Sequence, residues 1–290
     1  MNKLYKAGIA ALAAVSMLAA ACSSEEPGTL KGEFSVSETQ KVKFAQGNLQ
    51  YDPATKAYKL ADNQWTTVSS THYAFKPKAE DGVIDRMAWA NPDDPYTPSE
   101  TFTDWGQKPI ANGGDKPGIW RTLTADEWEY LIVKRPKSTE LFSFGSVNDV
   151  KGFILLPDAW QLPKDATMKF IPVDSLNKSS NSFRTKRTDP TDYSTLNAYT
   201  AEQWKALEDA GALFLPFTVI TELGGKTYYS GEYWTTDDNY ASIAPQEIWP
   251  KRGCRQESFR MSVRLAKDVK KIIHTSQHTI NKKTTVHRVK

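Results

Sequence analysis

The sequence predicts one α+β domain built from two short capped helices, small antiparallel sheets and long loops. Three observations carry this prediction: two helix starts of the same design, an apolar run after each that ends at proline, and alternating apolar and polar residues near both ends of the chain. A chain of 290 residues, 39% of them hydrophobic, can bury one substantial core. We therefore expect a single globular domain with terminal appendages.

The first helix is predicted just after Leu123. Thr124 and Glu127 form a capping box, in which the threonine hydroxyl accepts from the Glu127 N–H and the glutamate accepts from the Thr124 N–H. Leu123 and Trp128 occupy the hydrophobic-staple positions on either side of the cap. From Trp128 onward, apolar residues recur at i, i+3 and i+4, which indicates one buried helix face.

The second helix repeats this design after Tyr199. Thr200 is the cap, Gln203 is its box partner, and Tyr199 and Trp204 form the staple pair. Gly211 is placed to end the helix, because glycine readily adopts a left-handed conformation.

Strands are predicted after each helix and near both chain ends. The runs 152–157 and 212–216 are apolar and end in Leu-Pro, as expected of buried strands halted by proline. Alternation predicts further strands between Glu33 and Tyr58. Towards the end of the chain we expect strands over 227–229, 233–235 and 259–265. Residues 76–118 and 161–198 are expected to be loop regions.

A family resemblance rests on the segment from Gly118 to Trp128, which reads Gly-x-Trp-Arg-x-Leu-Thr-x-x-Glu-Trp. It resembles the signature of the formylglycine-generating-enzyme-like branch of the C-type-lectin fold. It is also similar to lectin-like Bacteroidota surface lipoproteins, including the Fibrobacter-type major paralogous domain. Further matching blocks are Lys43–Tyr51, Asp104–Gly106, Asn112–Gly114, Ile154–Trp160, Tyr233–Thr236 and Ser262–Leu265. The resemblance spans about Gly32 to Lys267 and implies a C-type-lectin-like fold, in which long loops are pinned by buried aromatic residues. It says less about function, because one fold hosts many functions.

The charge distribution argues against a nucleic-acid partner. The formal charge of +3 includes +2 from Lys3 and Lys6 and +6 from residues 267–290, so residues 7–266 carry −5. An acidic body does not offer the basic surface that nucleic acids require.

The amino-terminal segment reads as an export signal that covers residues 1–21. Two lysines precede an apolar stretch that ends in Ala19, Ala20, Ala21 and Cys22. This order resembles a lipobox, although Leu18 lies four residues before the cysteine instead of three, and it implies lipidation of Cys22 with fatty acids such as palmitate. Cleavage by an ordinary signal peptidase near Ala21 is the alternative.

Four segments follow from this interpretation. The signal peptide is followed by an acidic polar tether over 22–31, a C-type-lectin-like domain over 32–267 and a basic tail over 268–290 that we expect to be disordered. Acidic residues directly after the lipidated cysteine resemble the surface-export signal of Bacteroidota lipoproteins. We therefore expect an outer-membrane protein that is anchored through Cys22 and exposed at the cell surface. In the tail, His274 and His278 have the spacing of helical zinc ligands, but a solvated tail is the favoured interpretation.

Three other chemistries fit the sequence less well than binding. The resemblance implies that formylglycine-generating enzymes hold copper between two cysteines, whereas only Cys254 remains here once Cys22 is lipidated. A hydrolase could use the adjacent carboxylates Asp93-Asp94 or Asp237-Asp238, although such pairs are more typical of turns. Calcium-dependent sugar binding would need several convergent oxygens, and the triplets of calcium-binding lectins are matched only loosely near Asp237.

The sequence is therefore predicted to encode a binding protein, with no catalytic residue, cofactor or metal. Aromatic, short polar and arginine residues concentrate in the segment 228–255, a composition typical of adaptable binding surfaces. The ligand is expected to be a glycan or a surface protein; the alternatives are an enzyme and a structural component of a surface assembly. The candidate ligand-binding residues, expected to be exposed, are Tyr228, Tyr229, Tyr233, Trp234, Asp237, Asp238, Asn239, Tyr240, Trp249 and Arg255.

Overall fold

The computed structural model describes residues 27–72, 75–164, 166–173, 175–185, 195–253 and 259–270. The predicted signal peptide, Cys22, Cys254, Arg255 and the histidines of the tail lie outside these residues.

The described chain forms two α-helices and fifteen strands. The helices are α1 (Ala125–Glu129) and α2 (Ala201–Asp209). The strands are β1 (Phe34–Ser35), β2 (Lys41–Phe44), β3 (Leu49–Asp52), β4 (Ala57–Leu60), β5 (Phe142–Val147), β6 (Val150–Leu155), β7 (Leu176–Ser179), β8 (Ser182–Thr185), β9 (Ala198–Tyr199), β10 (Leu213–Pro216), β11 (Val219–Leu223), β12 (Lys226–Trp234), β13 (Asn239–Ile243), β14 (Glu247–Gly253) and β15 (Ala266–Asp268).

These strands form four sheets, in which almost every pairing is antiparallel. Their strand orders are β1-β2-β15, β3-β4, β10-β6-β5-β9 and β11-β12-β13-β14-β8-β7. The pairing of β5 with β9 is parallel. The predicted α+β class with short helices and small antiparallel sheets is confirmed. No helix among the described residues is long and apolar enough to cross a bilayer.

Helix α1 begins as the capping box predicts. The Thr124 hydroxyl accepts from the Glu127 N–H at 3.1 Å, and the Glu127 carboxylate accepts from the Thr124 N–H at 2.8 Å. The chain continues as a π-helix over Tyr130–Lys134, closed by the Arg135 N–H donating to the Tyr130 carbonyl at 2.8 Å. The Arg121 guanidinium donates two hydrogen bonds to Glu127, at 2.7 and 2.8 Å, so the box partner of the cap also ties the preceding loop to the helix.

Helix α2 and the two Leu-Pro runs also form as predicted. Thr200 and Gln203 make the second capping box, and Gly211 has a φ of 100°, the left-handed conformation expected where the helix stops. The two apolar runs become β6 and β10, which pair with each other from Leu213 opposite Leu155 to Pro216 opposite Gly152. Because β10 is an edge strand, its proline removes no hydrogen bond that another strand would need.

Four buried tryptophans lie in three apolar clusters. Trp105 and Trp120 lie in a cluster beneath the long loop 76–118, Trp128 lies in the cluster under α1, and Trp204 lies in the cluster under α2. Trp160 is partly buried and packs against the last of these clusters. The Trp120 indole N–H donates to the Gly113 carbonyl at 2.8 Å.

Three strand predictions are wrong. Residues 227–235 were predicted as two strands, but β12 runs unbroken through Gly231 because its neighbours β11 and β13 pair along it. The strand predicted over 259–265 is only a pair of isolated bridges at Met261 and Ser262. Its arginines, Arg260 and Arg264, are buried and bond to backbone carbonyls instead of facing solvent. The predicted loop 161–198 contains the β7-β8 hairpin.

The packed chain extends slightly beyond the expected limits 32–267. Thr29 forms a bridge with Ala45, and Leu30 is buried in the cluster under α1. At the other end, Asp268 lies in β15, and the Val269 N–H donates to the Lys41 carbonyl at 2.9 Å.

Candidate functional site

The candidate site lies on one face of the six-stranded sheet, at strands β12, β13 and β14. Successive residues of a strand point to opposite sides, and residues directly opposite each other on paired strands share a side. Glu232 lies opposite Ser242, and Ser242 lies opposite Trp249, which places these three side chains in one row. We call Tyr228, Ser230, Glu232, Ser242, Trp249 and Arg252 the sheet face.

Glu232 is the carboxylate of the sheet face. It is partly buried, and within the described part of the chain its carboxylate accepts one hydrogen bond, from the Ser230 hydroxyl at 3.3 Å. Burial raises the pKa of Glu232, and the positive charges of Arg86 and Arg252 oppose this increase. The carboxylate therefore retains capacity to accept further hydrogen bonds.

Arg252 is held over the aromatic residues of the sheet face. Its guanidinium carbon lies 5.7 Å from the centroid of the Trp249 ring and 5.8 Å from that of Tyr240, within the range of cation–π contacts. One guanidinium nitrogen lies 3.4 Å from the Ser242 hydroxyl. The long side chain is thus oriented along the sheet.

Arg86 is buried, and its positive charge acts on Glu232. Its Nε donates to the Arg260 carbonyl at 2.9 Å, and one terminal nitrogen donates to the carbonyls of Ser70 and His72 at 3.0 and 2.8 Å. Burial lowers the pKa of Arg86, while Glu232 and Asp85 favour its charged form. Arg86 thus joins three chain segments beside the sheet face.

Three of the predicted binding residues are buried, so the expectation that they are exposed is wrong. Tyr233, Trp234 and Tyr240 have relative exposures of 0, 1 and 4%. The Tyr233 hydroxyl donates to the Pro216 carbonyl at 2.7 Å, and the Trp234 indole donates to the Met87 carbonyl at the same distance. These hydrogen bonds explain the burial, since they satisfy the polar atoms of large apolar side chains inside the core.

The other predicted aromatic residues are at least partly accessible. Tyr228 is 41% exposed and Trp249 is half-buried, and both belong to the sheet face. Tyr229 points to the opposite side, where it packs against the cluster under α1. The Lys151 ammonium lies 4.3 Å from the Tyr229 ring centroid and covers part of that ring.

The predicted polar residues Asp237 and Asp238 lie in the turn between β12 and β13, and Asn239 is the first residue of β13. Asp237 accepts a hydrogen bond from the Ala125 N–H at 3.1 Å, so it supports the start of α1. Asp238 adopts a left-handed conformation with a φ of 55°, and the Asn239 side chain donates to the Asp237 carbonyl at 2.6 Å. This geometry gives the three residues local roles in the turn, and the last predicted binding residue, Arg255, lies outside the described residues.

Sequence reasoning missed Glu232, Ser242 and Arg252. The signal was present, because alternation along an unbroken β12 places residues 228, 230 and 232 on one side. Dividing this stretch into two short strands hid that pattern. The position of Arg252 depends on a register shift between β13 and β14, which the local sequence does not reveal.

The adjacent carboxylates considered for hydrolysis have structural contacts. Asp93 forms an ion pair with Lys108, and Asp94 accepts from the Tyr96 N–H at 3.0 Å. Among the described residues, no three His, Cys, Asp or Glu side chains are grouped so that they could hold a metal ion.

A cleft of about 840 Å³ lies between the first and last described segments of the chain. Its lining carries five basic and two acidic side chains, Lys31, Lys43, Arg121, Lys267, Lys270, Glu33 and Asp268. Much of this charge is engaged locally, because Lys31 pairs with Asp209 and Arg121 pairs with Glu127 and Asp268.

Comparison with known proteins gives no relative for this chain. No protein-family model, no curated protein and no solved structure matches it significantly.

Proposed function

We propose that this chain is a lipid-anchored cell-surface binding protein that recognises a protein ligand through the sheet face. The observation that carries the proposal is the row formed by Glu232, Ser242 and Trp249, with Arg252 stacked beside it. Tryptophan, tyrosine and arginine are the residue types enriched at the energetic centres of protein interfaces. Their combination with a carboxylate that can accept further hydrogen bonds suits a specific contact.

A protein ligand is favoured over a glycan because apolar exposure continues beyond the sheet face. The β11-β12 hairpin carries Leu223 at its tip, 70% exposed, and Tyr228 along its length. A surface that combines an exposed leucine with aromatic and charged residues matches the mixed composition of protein interfaces. Glycan recognition at the same face is the alternative that the experiments below distinguish.

Glu232 suggests the chemistry of the ligand. A partly buried carboxylate loses its remaining water when a partner covers it, and this cost must be offset by a charged hydrogen bond. We expect the ligand to place a lysine or arginine against Glu232, at a position where the partly exposed Ser230 can hydrogen-bond to a neighbouring polar atom. Ser242 is buried and supports the row from below.

The C-type-lectin-like fold and its family remain part of the proposal. They are supported by the small antiparallel sheets, the two capped helices and the long loops pinned by tryptophans. Gly106, inside one of the resembling blocks, lies so close to the Trp120 carbonyl that a Cβ atom would come within 1.8 Å of it. A glycine is thus required where two of the resembling blocks meet.

The anchor is proposed from the sequence at Cys22, which would be lipidated and would hold the domain at the outer membrane, facing the medium. Mass spectrometry of the protein purified from its native membrane should find acyl chains on Cys22. In Cys22→Ser the protein should leave the membrane fraction. A wild-type protein without acyl chains would reject the anchor and leave the binding proposal untouched.

Binding is tested with a purified Cys22→Ser protein coupled to a support and exposed to surface proteins of neighbouring cells. Captured proteins count only if capture is lost in Trp249→Ala and in Glu232→Gln but kept in Trp160→Ala, a half-buried tryptophan elsewhere. A parallel glycan array is run with calcium and with chelator. Array signal lost in Trp249→Ala would instead assign a glycan to the sheet face.

A further inference from the structure

A second, smaller pocket lies away from the sheet face, against the β3-β4 hairpin. It encloses about 400 Å³, a volume suited to a small molecule. Three separate parts of the chain line it: the hairpin 51–58, the turn at 92–93 and the loop 108–115. Its polar side chains are Tyr51, Lys56, Tyr58, Asp93, Lys108 and Asp115.

One wall of the pocket is a fixed tyrosine. The half-buried Tyr51 ring contacts the Tyr58 ring at 5.0 Å and the Tyr96 ring edge-on at 6.1 Å. The Tyr51 backbone exchanges two hydrogen bonds with Ile84, at 2.8 and 3.0 Å. The Tyr58 hydroxyl is already committed, since it donates to the Pro92 carbonyl at 3.0 Å. The aromatic wall is therefore preorganised before any ligand arrives.

The charged residues of the pocket balance. Asp93 and Lys108 form an ion pair at the rim, with side chains 79 and 33% exposed. Lys56 and Asp115 add one more positive and one more negative charge to the lining. This balance differs from the larger cleft, where basic side chains outnumber acidic ones by three. The small pocket thus has no net charge to select an anion or a cation, but it offers both strong donors and strong acceptors.

We propose that this pocket binds a neutral sugar of one or two rings. A sugar has an apolar C–H face that can pack on the Tyr51 ring and on the small apolar side chains of Pro109 and Ala111, which also line the pocket. Its neighbouring hydroxyls can accept from the Lys108 ammonium and donate to the Asp93 carboxylate, which already lie side by side.

The sugar site is independent of the protein-binding role proposed for the sheet face. None of the residues that line the pocket belongs to the segment 228–255. The two sites can therefore be tested with separate variants, and failure of one leaves the other standing.

The test uses the Cys22→Ser full chain and saturation-transfer difference NMR. The probes are methyl α-glucoside, methyl β-galactoside, methyl α-mannoside, N-acetylglucosamine, maltose and lactose. At least one probe should receive saturation, and its affinity should fall at least about tenfold in both Asp93→Ala and Lys108→Ala, which each remove a charged hydrogen bond. Both side chains lie at the rim, so thermal unfolding should match that of wild type.

Two controls make the outcome decisive. Lys205→Ala breaks an exposed ion pair with Asp209 on α2 and should leave sugar binding unchanged, as should Trp249→Ala on the sheet face. The proposal is overturned if every probe is silent, if binding survives in both pocket variants, or if Trp249→Ala abolishes it.

Discussion

The Arg264 guanidinium donates to the Asn48 side-chain oxygen at 2.9 Å, which joins residues 216 positions apart inside the core. The same guanidinium also bonds to the carbonyls of Ala45 and Phe214, at 3.3 and 3.1 Å. Burial lowers the pKa of Arg264 to about 10, yet the side chain stays charged at neutral pH. One buried arginine thus holds together the amino-terminal strands, the β10 strand and the carboxyl-terminal segment.

Replacing Arg264 should be costly, because it leaves several buried acceptors without donors. We expect Arg264→Met to lower the free energy of unfolding by about 3 kcal/mol or more, measured by urea denaturation. Arg184→Met, at a side chain 62% exposed, is the matched control and should change it by less than about 1 kcal/mol. Equal effects of the two changes would refute the assigned role of Arg264.

Glu232→Gln should change the pH dependence of stability in a defined direction. Burial raises the pKa of Glu232 above its ordinary value of 4.5, so the folded state binds this proton more tightly than the unfolded chain. The resulting stability is complete below pH 4.5 and is lost as the pH rises through the raised pKa. Relative to wild type, Glu232→Gln should therefore gain stability as the pH rises above 4.5 in urea titrations.

Glu247 is the internal control for this experiment, since its pKa is lowered in the folded state whereas that of Glu232 is raised. Burial acts to raise the pKa of Glu247, but hydrogen bonds from Ser182 and Arg184 lower it overall. Its contribution to stability is present above the ordinary pKa and disappears as the pH falls through the lowered one. Relative to wild type, Glu247→Gln should thus lose stability as the pH rises towards 4.5, below the range in which Glu232→Gln gains it, and should change little above that pH. A gain of stability in Glu247→Gln as the pH rises would contradict the assignment.

Substitutions of Trp234 and Trp249 should have different effects on stability and on ligand binding. Trp234→Ala removes a fully buried ring and should lower the free energy of unfolding by about 3–5 kcal/mol. Trp249→Ala removes a half-buried ring and should cost much less stability while abolishing ligand capture. Thermal unfolding and the capture assay, run on both variants, distinguish these outcomes. A Trp249→Ala protein that folds and still captures its ligand would contradict the sheet-face proposal.

The cap of α1 gives a local stability test. Thr124→Ala should lower the free energy of unfolding by about 1 kcal/mol, because the Glu127 N–H loses its partner. Thr124→Ser keeps the accepting oxygen and should recover most of this loss. Calorimetry of the pair would reject the cap assignment if serine were no better than alanine.

Local chemistry made the helices predictable, whereas the binding surface depends on long-range pairing. The boxes at Thr124 and Thr200 are complete within four residues of sequence, so both helix starts could be predicted. Whether an aromatic residue faces solvent is decided by distant elements. Trp234 is covered because Met87 lies beside it, while Trp249, of the same residue type, is left half-exposed by its neighbours.

The same limit applies to the small pocket. Tyr51, Asp93 and Lys108 come from segments with no shared motif, and only the folded chain brings them together. The buried arginines were hidden for a related reason. In 259–265, polar residues alternate with apolar ones as in a half-exposed strand, but Arg260 and Arg264 turn inward to bind carbonyls.

The segment 261–268 lies near the end of the described chain, so the fold can be completed only late in synthesis. Met261 bridges to Met87, Ser262 pairs with Tyr233, and β15 completes the sheet formed by β1 and β2. Folding during synthesis can therefore be completed only after almost the entire domain has emerged from the ribosome. The amino-terminal and middle parts of the chain both pair with this late segment.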